Sequence, residues 1–181
     1  MEQKKLVHRD IKPKNIMWDG YFGARVIDFG EAVQYDQSGH LHASAFEEPF
    51  QDKQQALPPE ALKTNPVSTR RYHKSDVYGV GLAFLQLLVV GDPSQTSRDF
   101  LLFMEPGNDT APAEHQIPKV PKGVFMVNSL DMAERLQSLV SHMLNPKPAQ
   151  RITGANLADA AMDLFTKFFD TERKCRRAAC A

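Results

Sequence analysis

Asp10, Lys12, Asn15 and Asp28 lie close together near the start of this 181-residue chain, and their types suit a single kind of chemistry. A carboxylate at Asp10 can orient a hydroxyl nucleophile and accept its proton. Asn15 and Asp28 offer hard oxygen ligands, which Mg2+ prefers while it is shared with phosphate oxygens. Lys12 can offset charge on a phosphoryl group as it moves. The set suits phosphoryl transfer. Taken singly, each residue reads as a turn former or a solvated charge, so the argument rests on their convergence. Asn15–Trp18 and Arg25–Ile27 are strand candidates separated by a turn-rich segment with Asp19-Gly20 and Gly23. A hairpin that starts at Asn15 returns to Asp28, and Asp10 lies five residues upstream across the polar loop His8–Lys14.

The rest of the chain has to carry that hairpin. Asp28 to Leu57 shows little periodicity and much Gln, Ser, His, Glu and Asp. It is too long for an ordinary connection and reads as a functional or disordered loop. Pro59 is placed to open a short helix through Lys63. Ser75 reads as the N-cap of a helix from Asp76 to about Val90, apolar on all sides and so expected in the interior. A short helix is expected over Ser97–Met104, and the prolines of Glu105–Lys122 argue for irregular chain. Leu130–Leu144 is an amphipathic helix by the spacing of Leu130, Ala133, Leu136, Val140, Met143 and Leu144 behind Ser129. A last helix should begin after Thr153 and bury Leu157, Ala161, Leu164, Phe165 and Phe168, with the basic tail Arg173–Ala181 frayed. The fold class is mainly α with a short β-hairpin, the balance expected of one lobe of a larger enzyme.

The segment His8-Arg9-Asp10-Ile11-Lys12-Pro13-Lys14-Asn15, followed by Asp28-Phe29-Gly30, resembles the catalytic loop and metal-binding motif of eukaryotic-type protein kinases. The resemblance implies Asp10 as catalytic base, Asn15 and Asp28 as magnesium ligands, and Lys12 as the lysine of serine/threonine-type loops, which also contacts ATP. Arg9 would meet an activation-loop phosphate in regulated members, and Phe29 would pack inside beside His8. Pro58-Pro59-Glu60 resembles the motif that closes the activation segment. Ser75–Gly81 resembles the start of the buried central helix, whose Asp76 anchors the catalytic-loop backbone. Arg151 matches the arginine that pairs with Glu60. The implied fold is a protein-kinase-like C-lobe (α+β) over residues 1–170, with 171–181 as a basic tail. ATP and Mg2+ are the implied cofactors, and a protein is the implied substrate.

Two departures accompany the likeness. No glycine-rich loop, strand lysine, helix glutamate or hinge stands ahead of His8, so the N-lobe is expected to be absent and the chain a truncated part of a kinase. In the activation segment the family has Thr and Tyr where this chain has Lys53 and Ala56, which bears on substrate choice. The expected function is ATP-dependent phosphorylation of protein serine or threonine in the intact parent, with the truncated chain alone inactive. A non-catalytic decoy or scaffold is the alternative. A small-molecule phosphotransferase shares the base-to-metal spacing but usually lacks the Arg9, Lys12, Pro59-Glu60 and Arg151 set.

Composition adds bounds. Lys+Arg and Asp+Glu both number 22, so no net charge points to nucleic acid or an anionic membrane. The apolar run Val77–Val90 falls short of the ~20 residues that a membrane span needs. Cys175 and Cys180 give no disulfide framework. A cytoplasmic location is expected, with a nuclear one raised by the basic tail. His40 and His42 read as surface histidines rather than metal ligands, and Ser38 and Ser44 as phosphorylation candidates.

Overall fold

A computed structural model describes residues 4–21, 23–37, 58, 74–89 and 130–179. The expected helices at Pro59–Lys63 and Ser97–Met104, the activation-segment residues Lys53, Ala56, Pro59 and Glu60, and Ser38, His40, His42 and Ser44 lie outside these residues.

Two small antiparallel ladders and three helices make up the described architecture. Strands β1 (Leu6–Val7), β2 (Ile16–Trp18), β3 (Ala24–Val26) and β4 (Val33–Gln34) pair as β1 with β4 and β2 with β3. The β2–β3 register sets Ile16 opposite Val26, Met17 opposite Arg25 and Trp18 opposite Ala24. The hairpin is thus present, one residue shorter at its Asn15 end than expected, because Pro13–Asn15 closes as a 3-10 turn. Proline at the first position of that turn has no N–H to leave unpaired. At the far end the Asp19 carboxylate accepts the Tyr21 N–H at 3.1 Å. Gly20 and Gly23 hold φ of 70° and 83°, a left-handed backbone that favours glycine. Asp19 also pairs with Arg25 at 2.6 Å, tying the turn to β3.

Helices α1 (Ser75–Val89), α2 (Leu130–Met143) and α3 (Gly154–Ala179) follow. The core gathers Val77, Tyr78, Leu82 and Leu85 of α1 with Leu136, Val140, Met143 and Leu144 of the α2 region. Helix α1 is buried through Leu85 except along Asp76, Val80 and Phe84, which are half-buried, close to what its sequence led one to expect. Its glycines are the points of closest approach. A β-carbon on Gly79 would lie 2.9 Å from Cβ of Ile11, and one on Gly81 would lie 2.8 Å from Cβ of Met143. Glycine therefore lets Ile11 and the end of α2 both reach the α1 backbone.

Thr153 caps α3, its hydroxyl accepting the Asn156 N–H at 3.2 Å. Leu157, Leu164 and Phe168 of α3 pack on the core. Two residues expected beside them do not: Ala161 is exposed, and Phe165 is 59% exposed. The core takes only a narrow stripe of this helix, and Phe165 falls on the next one round. The helix also runs on to Ala179, through the basic segment expected to fray.

Candidate active site

The backbone of the loop that starts at His8 is held from behind by α1. Asp76 lies in the first turn of that helix, and its carboxylate accepts the His8 N–H at 2.7 Å and the Arg9 N–H at 2.9 Å. Burial raises the Asp76 carboxyl above its ordinary value, an effect that the two N–H bonds only partly offset. Arg9 adopts φ of 69°, so the chain turns sharply just before Asp10.

His8 is fully buried and bonds at both ring nitrogens. Nδ1 accepts the Asp10 N–H at 3.3 Å, and Nε2 lies 3.0 Å from the carbonyl of Ile27. A carbonyl only accepts, so the proton belongs on Nε2 and the ring is the neutral tautomer. Phe29 meets the same ring edge-on at a centroid distance of 4.8 Å. One imidazole thus ties Asp10 on the loop to Ile27 and Phe29 on the segment after β3. In the sequence His8 stood out only as the neighbour that the resemblance implies for Phe29. Its two polar partners left no signal there, since one of them is a distant main-chain carbonyl.

Three of the four expected site residues come together in side-chain contact. Oδ2 of Asp10 lies 2.8 Å from Nζ of Lys12 and accepts Nδ2–H of Asn15 at 3.0 Å. Asn15 Nδ2 also donates to the Asp10 carbonyl at 2.9 Å. Asp10 is 7% exposed and Asn15 5%, so this carboxylate is nearly dry and held in one rotamer by two donors. Asp28 joins them through the backbone. The Ile27 N–H donates to the Asn15 carbonyl at 2.9 Å, which carries the β2–β3 pairing to the residue before Asp28. The Asp28 carboxylate is exposed, takes the Gly30 N–H at 3.4 Å and makes no hydrogen bond to the other three. It sits at φ of 63°, a left-handed conformation uncommon outside glycine.

These donors fit a magnesium ion shared with a nucleotide. With Nδ2 of Asn15 committed to Asp10, its Oδ1 is the atom left to act as a ligand, and Asp28 adds an exposed carboxylate. Among the described residues no group of three or more His, Cys, Asp or Glu could hold a metal alone. Magnesium tolerates so sparse a protein set because phosphate oxygens and water complete its shell.

Away from the loop, Arg151 is 1% exposed. Its Nη1 donates to the Lys74 carbonyl at 2.9 Å, its Nε donates to the Asn145 carbonyl at 3.0 Å, and its guanidinium stacks over Tyr78. Lys74 answers with Nζ on the Arg151 carbonyl at 2.6 Å. The expected Glu60 partner lies outside the described residues. Lys74 gave no warning in the sequence, where a lysine before a helix reads as solvated.

The protein kinase domain family matches residues 1–165. Human serine/threonine-protein kinase Nek10 is 25% identical over 169 residues, covering 93% of this chain and 12% of that protein. Mouse cyclin-dependent kinase 14 is 25% identical over 171 residues, covering 84% of this chain and 35% of that protein. A probable LRR receptor-like serine/threonine-protein kinase of Arabidopsis thaliana is 33% identical over 94 residues, covering 52% of this chain and 10% of that protein. The chain therefore spans between 10% and 35% of the length of these relatives. A loop anchored on Asp76, a hairpin that returns to Asp28 and a match over residues 1–165 agree: this chain belongs to the protein kinase family.

Proposed function

We propose that this chain is the catalytic-loop half of a protein serine/threonine kinase, a C-lobe that completes its ATP site with elements from outside residues 1–181. The reading rests on the Asp10–Lys12–Asn15 cluster, in which a nearly buried carboxylate is oriented by a lysine at 2.8 Å and an amide at 3.0 Å. Asp10 receives the proton of the substrate hydroxyl as the oxygen attacks. Lys12 stays beside it and offsets charge on the transferred group. Asn15 and Asp28 are the residues that would hold magnesium. Bound Mg-ATP supplies the phosphoryl group and neutralises the charge that develops on it. The chain's own work is positioning, which Asp76 and His8 support through the loop backbone.

Radiolabelled phosphate transfer from ATP to a serine/threonine protein substrate, by the longest natural form of the protein, tests the assignment. Transfer that Asp10→Asn leaves intact overturns it. For the 181-residue chain alone, weak or undetectable Mg-ATP binding is expected. Nanomolar to low-micromolar binding would refute the half-domain part of the proposal.

A non-catalytic, scaffold-like reading draws on one observation. Met17, Ile27 and Phe29 are 54%, 36% and 49% exposed, so the face carrying the metal motif presents apolar surface. Stable complexes with a protein partner that survive Asp10→Asn and Asp28→Asn, without phosphate transfer, would favour it.

A further inference from the structure

Lys74 is 8% exposed and stands immediately before α1, an unfavourable place for a cation. Taking an ammonium out of water costs free energy, and the positive pole of the helix macrodipole adds to that cost. What holds it there is a set of main-chain acceptors. Nζ donates to the Arg151 carbonyl at 2.6 Å and reaches the Ala149 carbonyl at 3.4 Å. Arg151 returns a bond from Nη1 to the Lys74 carbonyl at 2.9 Å, which closes a two-way clasp between residues 77 apart in sequence. The same guanidinium lies over the Tyr78 ring at 4.9 Å and donates through Nε to the Asn145 carbonyl. The segment from Asn145 to Arg151 is thus fixed to α1 at two points, Lys74 and Tyr78.

Asp76 lies between those points. Its carboxylate accepts the His8 and Arg9 N–H groups directly ahead of Asp10. The first turn of a helix lacks intrahelical partners for its N–H groups, and helix ends are where local opening begins. A carboxylate in that turn is therefore only as well placed as the turn itself. The resemblance gave Arg151 a role and assigned none to Lys74.

We propose that Lys74 is a positioning residue for the Asp10 loop. By clasping Arg151 it holds the first turn of α1 in place, so that Asp76 keeps both loop amides and Asp10 keeps its orientation. The consequence for phosphate transfer rests on the kinase reading, whereas the consequence for the loop amides does not.

Amide hydrogen exchange of the 181-residue chain, resolved by NMR, tests this. Lys74→Met keeps the aliphatic stem and removes the ammonium. It should speed exchange at His8 and Arg9 by about tenfold, the low end for a lost hydrogen bond to a charged group, and leave the Ile27 amide of the hairpin unchanged. In an Asp76→Ala background the same substitution should add less than about twofold, because the acceptor it acts through is gone. Lys74→Arg retains a cation with N–H donors and should exchange close to wild type. Should Lys74→Met not fold, Lys74→Gln, whose shorter arm lacks the charge, carries the same expectations. In the longest natural form of the protein, Lys74→Met should lower kcat for phosphate transfer about tenfold with KM for ATP unchanged.

Equal acceleration at His8, Arg9 and Ile27 marks a general loosening and overturns the proposal. So does a full tenfold step in the Asp76→Ala background, an arginine variant that exchanges as fast as the methionine one, or an unchanged kcat. A wild type that transfers no phosphate sinks the kinase reading instead, and the exchange pattern then decides the role of Lys74 by itself.

Discussion

The two sides of the site are built to different standards. On the loop side, His8, Asp10 and Asn15 are buried, and every turn of the backbone is held by a named acceptor: Asp76 for His8 and Arg9, Nδ1 of His8 for Asp10. On the motif side, Asp28, Phe29 and Gly30 are exposed, and the Asp28 carboxylate keeps a single long bond to Gly30 at 3.4 Å. One side is ordered by the helical core beneath it. The other is positioned by the hairpin and one imidazole, and offers its surface outward. A group that must hold a proton acceptor in one orientation gains from early rigidity. The open face of the other side suits the magnesium-ligand role proposed for Asp28.

Substitutions can break this contrast, beginning with the proposed base on the loop side. Asp10→Asn should reduce phosphate transfer by ~10²–10⁴-fold, the usual range for a lost general base, while the thermal unfolding midpoint barely moves. Asp76→Ala should be the most damaging change to the fold, because it leaves two N–H donors of the loop without their acceptor. A loss of about 3 kcal/mol is expected, read from urea unfolding. Gly79→Ala should cost about 2 kcal/mol, since the new β-carbon would lie 2.9 Å from Ile11 and push the loop off α1.

A finer probe uses pH. Burial raises the Asp76 carboxyl above 3.8, so between that value and the raised one the unfolded chain has released a proton that the folded chain keeps. The folded state binds more protons across this window, and the Asp76 contribution to stability declines as pH rises through it. Unfolding midpoints of wild type should show that decline and those of Asp76→Asn should not. The smallest effect marks the other extreme. Lys167→Ala removes an ion pair to Asp163 at 2.5 Å on the exposed face of α3, and no measurable change in melting temperature is expected.

Legibility in the sequence followed how local each signal was. The Asp10, Lys12 and Asn15 set was readable because a turn of a few residues holds it together. The hairpin was readable from Asp19-Gly20 and Gly23, whose chemistry admits few alternatives. The β1–β4 pair was not, since two-residue strands have no periodicity to detect. Phe165 misled because a helix rich in apolar residues does not say which of two neighbouring stripes meets the core. The segment from Arg173, expected to fray, instead lies within α3 as far as Ala179, and at a helix C-terminus the macrodipole favours basic residues.

The sequence alone determined that Asp10, Lys12 and Asn15 would share one short loop, and that a hairpin would bring Asp28 back toward Asn15. Residue type and short-range turn chemistry suffice for that. Only the tertiary structure decided that Asp76 would reach the backbone of His8 and Arg9, that His8 would link Asp10 to Ile27, and that Phe165 would face outward. Each depends on which surfaces meet across long stretches of chain, and packing makes that choice collectively rather than residue by residue.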